Sequence, residues 1–260
     1  MTTPSTRLGT AMLGAGAAPS GRAILAQTRA ELTMTLRRSE TLLVTLIIPV
    51  VLFFFFAWIL SRLPNRGNVI SFLLPGIITV AIMSTAMVSL GIATAYDRYY
   101  GVLKRLGASP LPRWGLLVAK LLSVLAIEVV QVVLLVILAV LVYGWRPAGP
   151  VWAAIAILLL GTAAFAGLGM LMAGALRAEA TLGIANGLYV IFLAIGGIFV
   201  PVDHLPPVLE WLAAVLPPAA LSDALRGVLT NQGVHAGSVA LLTAWAIILI
   251  VAAALTFKWE

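Results

Sequence analysis

Residues 116–143 read LLVAKLLSVLAIEVVQVVLLVILAVLVY, an apolar run with one carboxylate, Glu128, near its middle. About 20 apolar residues in a helix cross the hydrocarbon core of a bilayer, so this stretch predicts a membrane span. Further apolar stretches run from Leu42 to Leu60, Val69 to Ala95, Val151 to Leu176, Thr181 to Val200 and Ser238 to Phe257, which makes six expected crossings. Composition agrees: 62% of the 260 residues are apolar, 10% are charged, and the mean hydropathy is +1.11. Soluble domains are about half apolar and a quarter charged. The expectation is an all-α polytopic membrane protein with residues 21–260 as one transmembrane domain. Residues 1–20, rich in Thr, Ala, Gly and Ser, lack the basic start and apolar core of a signal peptide and are expected to form a disordered cytoplasmic tail.

The net charge of +7 belongs to membrane topology rather than to nucleic acid, and no nucleic-acid partner is expected. With the N-terminus taken as cytoplasmic, the inner side carries Arg7, Arg22, Arg29, Arg37, Arg38, Arg98, Lys104, Arg105, Arg113, Lys120, Arg177 and Lys258. Arg62, Arg66, Arg146 and Arg226 fall outside. That asymmetry predicts both termini on the cytoplasmic side of a plasma-membrane protein. Trp145 and Trp152 at outer helix ends, with Trp114 and Trp259 at inner ends, suit anchoring at the headgroups. The absence of cysteine excludes disulfides, thiolate metal sites and thiol nucleophiles.

Two segments differ from the spans. Drawn as a helix, Gly21 to Arg38 gathers Ile24, Leu25, Thr28, Leu32, Thr35 and Leu36 on one arc, with Arg22, Arg29, Arg37, Arg38 and Glu31 off it. This predicts an amphipathic helix in the cytoplasmic interface, its arginines meeting lipid headgroups, either as a simple anchor or as a lever on a partner. Between the fifth and sixth spans, Pro201 to Gln232 is broken by Pro206, Pro207, Pro217 and Pro218 and reads as two short helices dipping into the membrane as a re-entrant outer hairpin.

No phosphate-binding G-x-x-x-x-G-K-[ST] loop occurs, so the chain does not hydrolyse ATP on its own. Within the spans, Glu128, Gln131 one turn later and Asn186 are the candidate pathway residues. A carboxylate at mid-membrane depth costs roughly 3 kcal/mol or more, so Glu128 faces a cavity or a helix partner rather than lipid. Helix glue and substrate contact remain open for it. His204 and His235 have no metal-ligand spacing, and no catalytic constellation or metal site is expected. Gly183 and Gly187 form a G-x-x-x-G pair, and Ala163, Gly167 and Gly169 line the fourth span, which predicts close helix packing within or between subunits.

The basic inner connection Tyr96 to Trp114 begins Tyr-Asp-Arg-Tyr-Tyr-Gly-Val-Leu-Lys-Arg-Leu-Gly-Ala-Ser-Pro, helix-capable in its middle and stopped by Ser109-Pro110-Leu111-Pro112. It resembles the coupling segment of ABC-2-type transporter permeases, roughly Glu-Arg-Glu-x-Gly-x-x-x-x-Leu-x-x-[Ser/Thr]-Pro. Asp97, Arg98, Gly101, Leu106, Ser109 and Pro110 fall in register, with Tyr99 where the pattern has its second acid. Ile48-Pro49, Leu74-Pro75-Gly76-Ile77, Gly197-Ile198-Phe199-Val200-Pro201 with His204-Leu205-Pro206, and Leu216-Pro217-Pro218 with Asp223-Ala224-Leu225-Arg226 follow the family order.

The resemblance implies a permease that pairs with a second copy as a homodimer and binds two cytoplasmic ATPase subunits. The contacts would run through the interfacial helix and the 97–110 segment, with Lys104 and Arg105 included. ATP and Mg would sit on the partner, and this chain would bind no cofactor. The hairpin from Leu205 to Arg226, with Pro201, Pro206, Pro217, Asp223 and Arg226, would form part of an outer gate. The chain is most similar to daunorubicin-type drug-exporter permeases, which implies an amphipathic drug or lipid-like cargo. A polysaccharide or glycolipid exporter and an ion-coupled carrier using Glu128 are the alternatives.

Overall fold

The computed structural model describes residues 20–37, 39–62, 69–103, 113–199, 206–230 and 232–256, and none of these is in a strand. The chain opens with α1 (Ser20–Arg37) and α2 (Ser39–Leu60). Then α3 (Val69–Ile82), a π-helical segment (Met83–Ser89) and α4 (Leu90–Tyr99) run on as one long span. After it come α5 (Arg113–Tyr143), α6 (Val151–Ala175), α7 (Ala178–Ile195), the bent pair α8 (Pro207–Val215) and α9 (Pro217–Leu229), and α10 (Ala236–Thr256).

Five of these units are long and apolar enough to cross a membrane: Val69–Tyr99, Trp114–Tyr143, α6, α7 and α10. Helix α2 has its apolar part in Thr45–Leu60, and its 22 residues reach about 33 Å. The expected boundaries hold to within a few residues. Two departures have local causes. The fifth span stops at Ile195 instead of Val200, because Gly196 and Gly197 follow and Gly197 takes the left-handed φ of 65°. The second span continues past Ala95 to Tyr99, so Tyr96, Asp97 and Arg98 belong to the last turn of a membrane helix and not to a loop.

The proline-rich stretch forms two helices bent by 77°. Pro207 and Pro217 start them, at positions where a missing N–H is harmless and the fixed φ already suits a helix.

Helix α6 is the centre of the packing, against α10, α4, the π segment and α9. Small residues permit this approach. A Cβ on Gly169 would lie 2.7 Å from the Met87 carbonyl oxygen, one on Gly91 would lie 3.0 Å from the Gly169 carbonyl oxygen, and Gly167 abuts the backbone of Leu249 and Ile250. These glycines pack inside the subunit. Gly183 and Gly187 meet nothing within 4 Å, so the G-x-x-x-G face of α7 looks away from the rest of the described chain.

Replacing Gly169 by Ala forces α6 and the π segment apart and is expected to destabilise the subunit by about 1–3 kcal/mol, as overpacking does. Thermal unfolding in detergent, with Gly237→Ala at an open position as control, measures it.

Candidate functional site

The Tyr99 end of the long span is held by three charged groups from three helices. Lys120 of α5 is 3% exposed, and its Nζ lies 2.6 Å from Asp97 Oδ2 on α4 and 3.2 Å from Glu31 Oε1 on α1. Gln27 Nε2 donates to the same Glu31 oxygen at 3.0 Å. One sequence reading changes here. Glu31 does not lie off the apolar face of α1: it stands seven residues, close to two full turns, after the buried Ile24, and so projects towards α5. Lys120 is buried between two carboxylates that satisfy it. Arg22, Arg29 and Arg37 are exposed as expected, and Leu25, Met34 and Leu36 are exposed beside them.

Arg98 points the other way. Its guanidinium donates to the carbonyls of Gly174 and Leu176 at the C-terminal end of α6, where helix carbonyls lack intrahelical donors and the helix dipole is negative. Gly101, at φ 69°, ends α4 with its N–H on the Arg98 carbonyl at 3.0 Å. The pattern's glycine is therefore the left-handed stop of the helix. Lys104, Arg105, Leu106, Ser109, Pro110 and Arg38 lie outside the described residues.

Beside this junction a groove of about 540 Å3 opens between α2, the π segment, α4 and α7. Ile48, Val88 and Ile92 give it apolar walls, and Thr45, Ser84, Ser89, Tyr96, Asp97, Tyr100, Asn186 and Tyr189 add polar ones. Asn186 is exposed on α7, its Nδ2 turned back to the Leu182 carbonyl at 2.8 Å.

The three expected pathway residues do not share one cavity. Asn186 lines this groove, whereas Glu128 lines a separate cavity between α5 and α6 and hydrogen-bonds Thr162 at 2.5 Å. Gln131 is buried as a tie between helices. Pro49 has no N–H to return to the Thr45 carbonyl, and Gln131 Nε2 donates to that carbonyl at 3.0 Å while its Oε1 accepts from Thr85 of the π segment at 3.0 Å.

At the Val69 end of the long span, Arg226 of α9 donates from Nε to the Phe72 carbonyl at 3.1 Å and from Nη2 to the Gly197 and Ile198 carbonyls at 2.7 and 3.2 Å. Its guanidinium also lies 4.0 Å from the Phe72 ring centroid. Asp223 accepts from Ser238 Oγ at 2.5 Å and is 2.7 Å from His235 Nδ1, tying α9 to the start of α10. Pro206 caps α8 through its carbonyl, and Pro217 opens α9. Pro201 and His204 lie outside the described residues. Lys120, Glu31 and Thr85 were not expected as paired groups; the seven-residue spacing from Ile24 was the available signal for Glu31.

Residues 22–230 match the family described as "ABC-2 type transporter". A curated relative, "Putative transport permease YvfS" of Bacillus subtilis (strain 168), is 24% identical over 199 residues, which covers 74% of this chain and 79% of the relative.

Replacing Lys120 by Met leaves Glu31 and Asp97 facing each other without their shared cation. A fully buried pair loses roughly 3–5 kcal/mol in this way. Solvent reaches Asp97 (29% exposed), so a smaller loss of about 1–3 kcal/mol is expected. A double-mutant cycle of Lys120→Met with Glu31→Gln, read by thermal unfolding, measures the coupling.

Proposed function

Because the chain belongs to the ABC-2 type transporter family, we propose that it is the permease of an exporter that moves an amphipathic drug-like or lipid-like molecule out across the plasma membrane. The chain is a multi-pass membrane permease of an ABC transporter, a transport subunit that is not itself catalytic. In this reading ATP and Mg belong to a separate cytoplasmic ATPase, two copies of which bind two permease copies, and both termini face the cytoplasm.

The observation that carries the reading is the three-helix charge junction at the inner end. Lys120 joins α1, α4 and α5, and Arg98 joins α4 to the end of α6. A force applied to the interfacial helix or to the segment after Gly101 thus acts on the transmembrane helices that border the groove. The mixed lining of that groove suits a cargo with both apolar and polar parts.

Pairing of two copies has its own support. The open Gly183–Gly187 face allows another helix to approach closely, and the exposed Asn186 carboxamide beside it is poorly suited to lipid. In the assembled pair the hairpin α8–α9, clamped by Arg226, would serve as the outer gate.

Reconstituted with its ATPase, the permease is expected to give vanadate-sensitive transport. Arg98→Glu places a carboxylate against the carbonyl end of α6, and it is expected to lower transport per ATP hydrolysed while the protein still inserts and co-purifies with the ATPase. An unchanged transport-to-hydrolysis ratio removes the coupling role, and a permease that never co-purifies with an ATPase overturns the reading as a whole.

A further inference from the structure

The cavity between α5 and α6 shares no wall residue with the groove. It encloses about 370 Å3, within the roughly 300–1,000 Å3 typical of small-molecule sites. Half-exposed Val133, Ile155 and Leu159 form part of its wall on the lipid side, so an occupant arrives through hydrocarbon. Ile82 and Leu225 belong to the buried wall.

Among this apolar lining, the side chains of Glu128 and Thr162 are polar, and the indole N–H of Trp145 is already engaged with Ser71 Oγ at 3.1 Å. The proton count at the polar pair is informative. Thr162 Oγ1 lies 3.0 Å from the Leu158 carbonyl oxygen and 2.5 Å from Glu128 Oε2, and a hydroxyl carries one hydrogen. Either Thr162 donates to Glu128, or it donates to Leu158 and a neutral Glu128 donates to it from Oε2. In the second arrangement Oε1 is an acceptor; in the first it accepts when Glu128 is ionised and donates when it carries the acid's proton. In each case Oε1 needs one partner, and it has no hydrogen-bond partner among the described residues although it is buried. Buried polar atoms are rarely left this way.

One carboxyl oxygen in an apolar setting satisfies one partner group. An ammonium head only donates, brings three N–H groups and would leave two unmet, whereas a hydroxyl brings one O–H and can also accept, so it matches Oε1 in either state. We propose that this cavity binds a lipid alcohol resident in the bilayer, its hydrocarbon body in the α5–α6 cleft and its hydroxyl hydrogen-bonded to Glu128 Oε1. This site goes beyond the export reading and is tested without ATP or an ATPase.

The test uses the full chain in phosphatidylcholine nanodiscs with two photoreactive probes, tetradecanol carrying a mid-chain diazirine and the matching diazirine alkane. Saturable labelling of α5 and α6 peptides is expected, with the alcohol preferred about tenfold, the worth of one hydrogen bond in this setting. Glu128→Leu is expected to erase that preference. Ile155→Trp blocks the lipid-side wall, leaves the Glu128–Thr162 pair intact, and is expected to abolish labelling by both probes. Should Glu128→Leu fail to fold, the wild-type comparison and Ile155→Trp decide. Equal labelling by alcohol and alkane in the wild type, unsaturable labelling, or full labelling of Ile155→Trp overturns the proposal. So does ATP-driven delivery of the alcohol to the opposite leaflet by the assembled transporter, which would make it cargo and not a resident.

Discussion

The hydrocarbon core offers no water to a backbone carbonyl that a helix has released, and each such carbonyl has to find a donor within the protein. This chain releases carbonyls wherever proline or glycine interrupts a helix. Pro49 withdraws a donor in α2, and the Gln131 amide reaches across from α5 to the Thr45 carbonyl. The end of α6 exposes Gly174 and Leu176, which Arg98 serves. The chain leaves helix α7 at Gly196 and Gly197, and Arg226 gathers the Gly197 and Ile198 carbonyls. The same residues that look like gates or couplers are thus fasteners at helix defects. Charge or hydrogen-bonding capacity in the membrane is placed where the backbone is irregular.

Lys120 and Glu128 are among the polar groups outside this rule. Lys120 serves side chains instead of backbone, and its pairing with Asp97 and Glu31 joins helix α1 to two spans at once. Glu128 serves Thr162 with one oxygen and nothing described with the other. Helix glue accounts for the first oxygen only. Gluing α5 to α6 would have been achieved by any short hydroxyl pair, so the unmatched oxygen beside a cavity is the part of Glu128 that packing does not explain.

The spans were legible because lipid imposes a length and a composition on them, and Val151–Leu176 expected against Val151–Ala175 observed is a fair sample. The hairpin was legible from its prolines. Partnerships were less so, since they depend on rotation about helix axes and on which helices become neighbours. Glu31 was misplaced by drawing the arc of α1 around Leu25 and Leu36, both of which are exposed, when Ile24 and Thr28 are the residues that face α5. The pairing of Lys120 was not readable, because nothing in its own stretch shows that Asp97 and Glu31 converge on it. The register from Asp97 to Gly101 was readable as a family pattern. Its physical content, a membrane helix extended by one turn and stopped by a left-handed glycine, needed the backbone.

The span from Val69 to Tyr99 is held by charged side chains at both ends. Its 31 residues reach about 46 Å, well beyond the roughly 30 Å of hydrocarbon. Arg226 holds the Val69 end through the Phe72 carbonyl, and Lys120 holds the Tyr99 end through Asp97. Between them lies the π segment, where the backbone makes wider i→i+5 turns and where Thr85 binds Gln131. A helix fixed at both ends accommodates a displacement of either end at its least regular turn. In this chain that turn lies against the groove, through Ser84, Val88 and Ser89. A displacement of the Lys120–Asp97 junction would therefore be taken up first in the wall of the groove, and would reach the hairpin through the part of the span that Arg226 clamps.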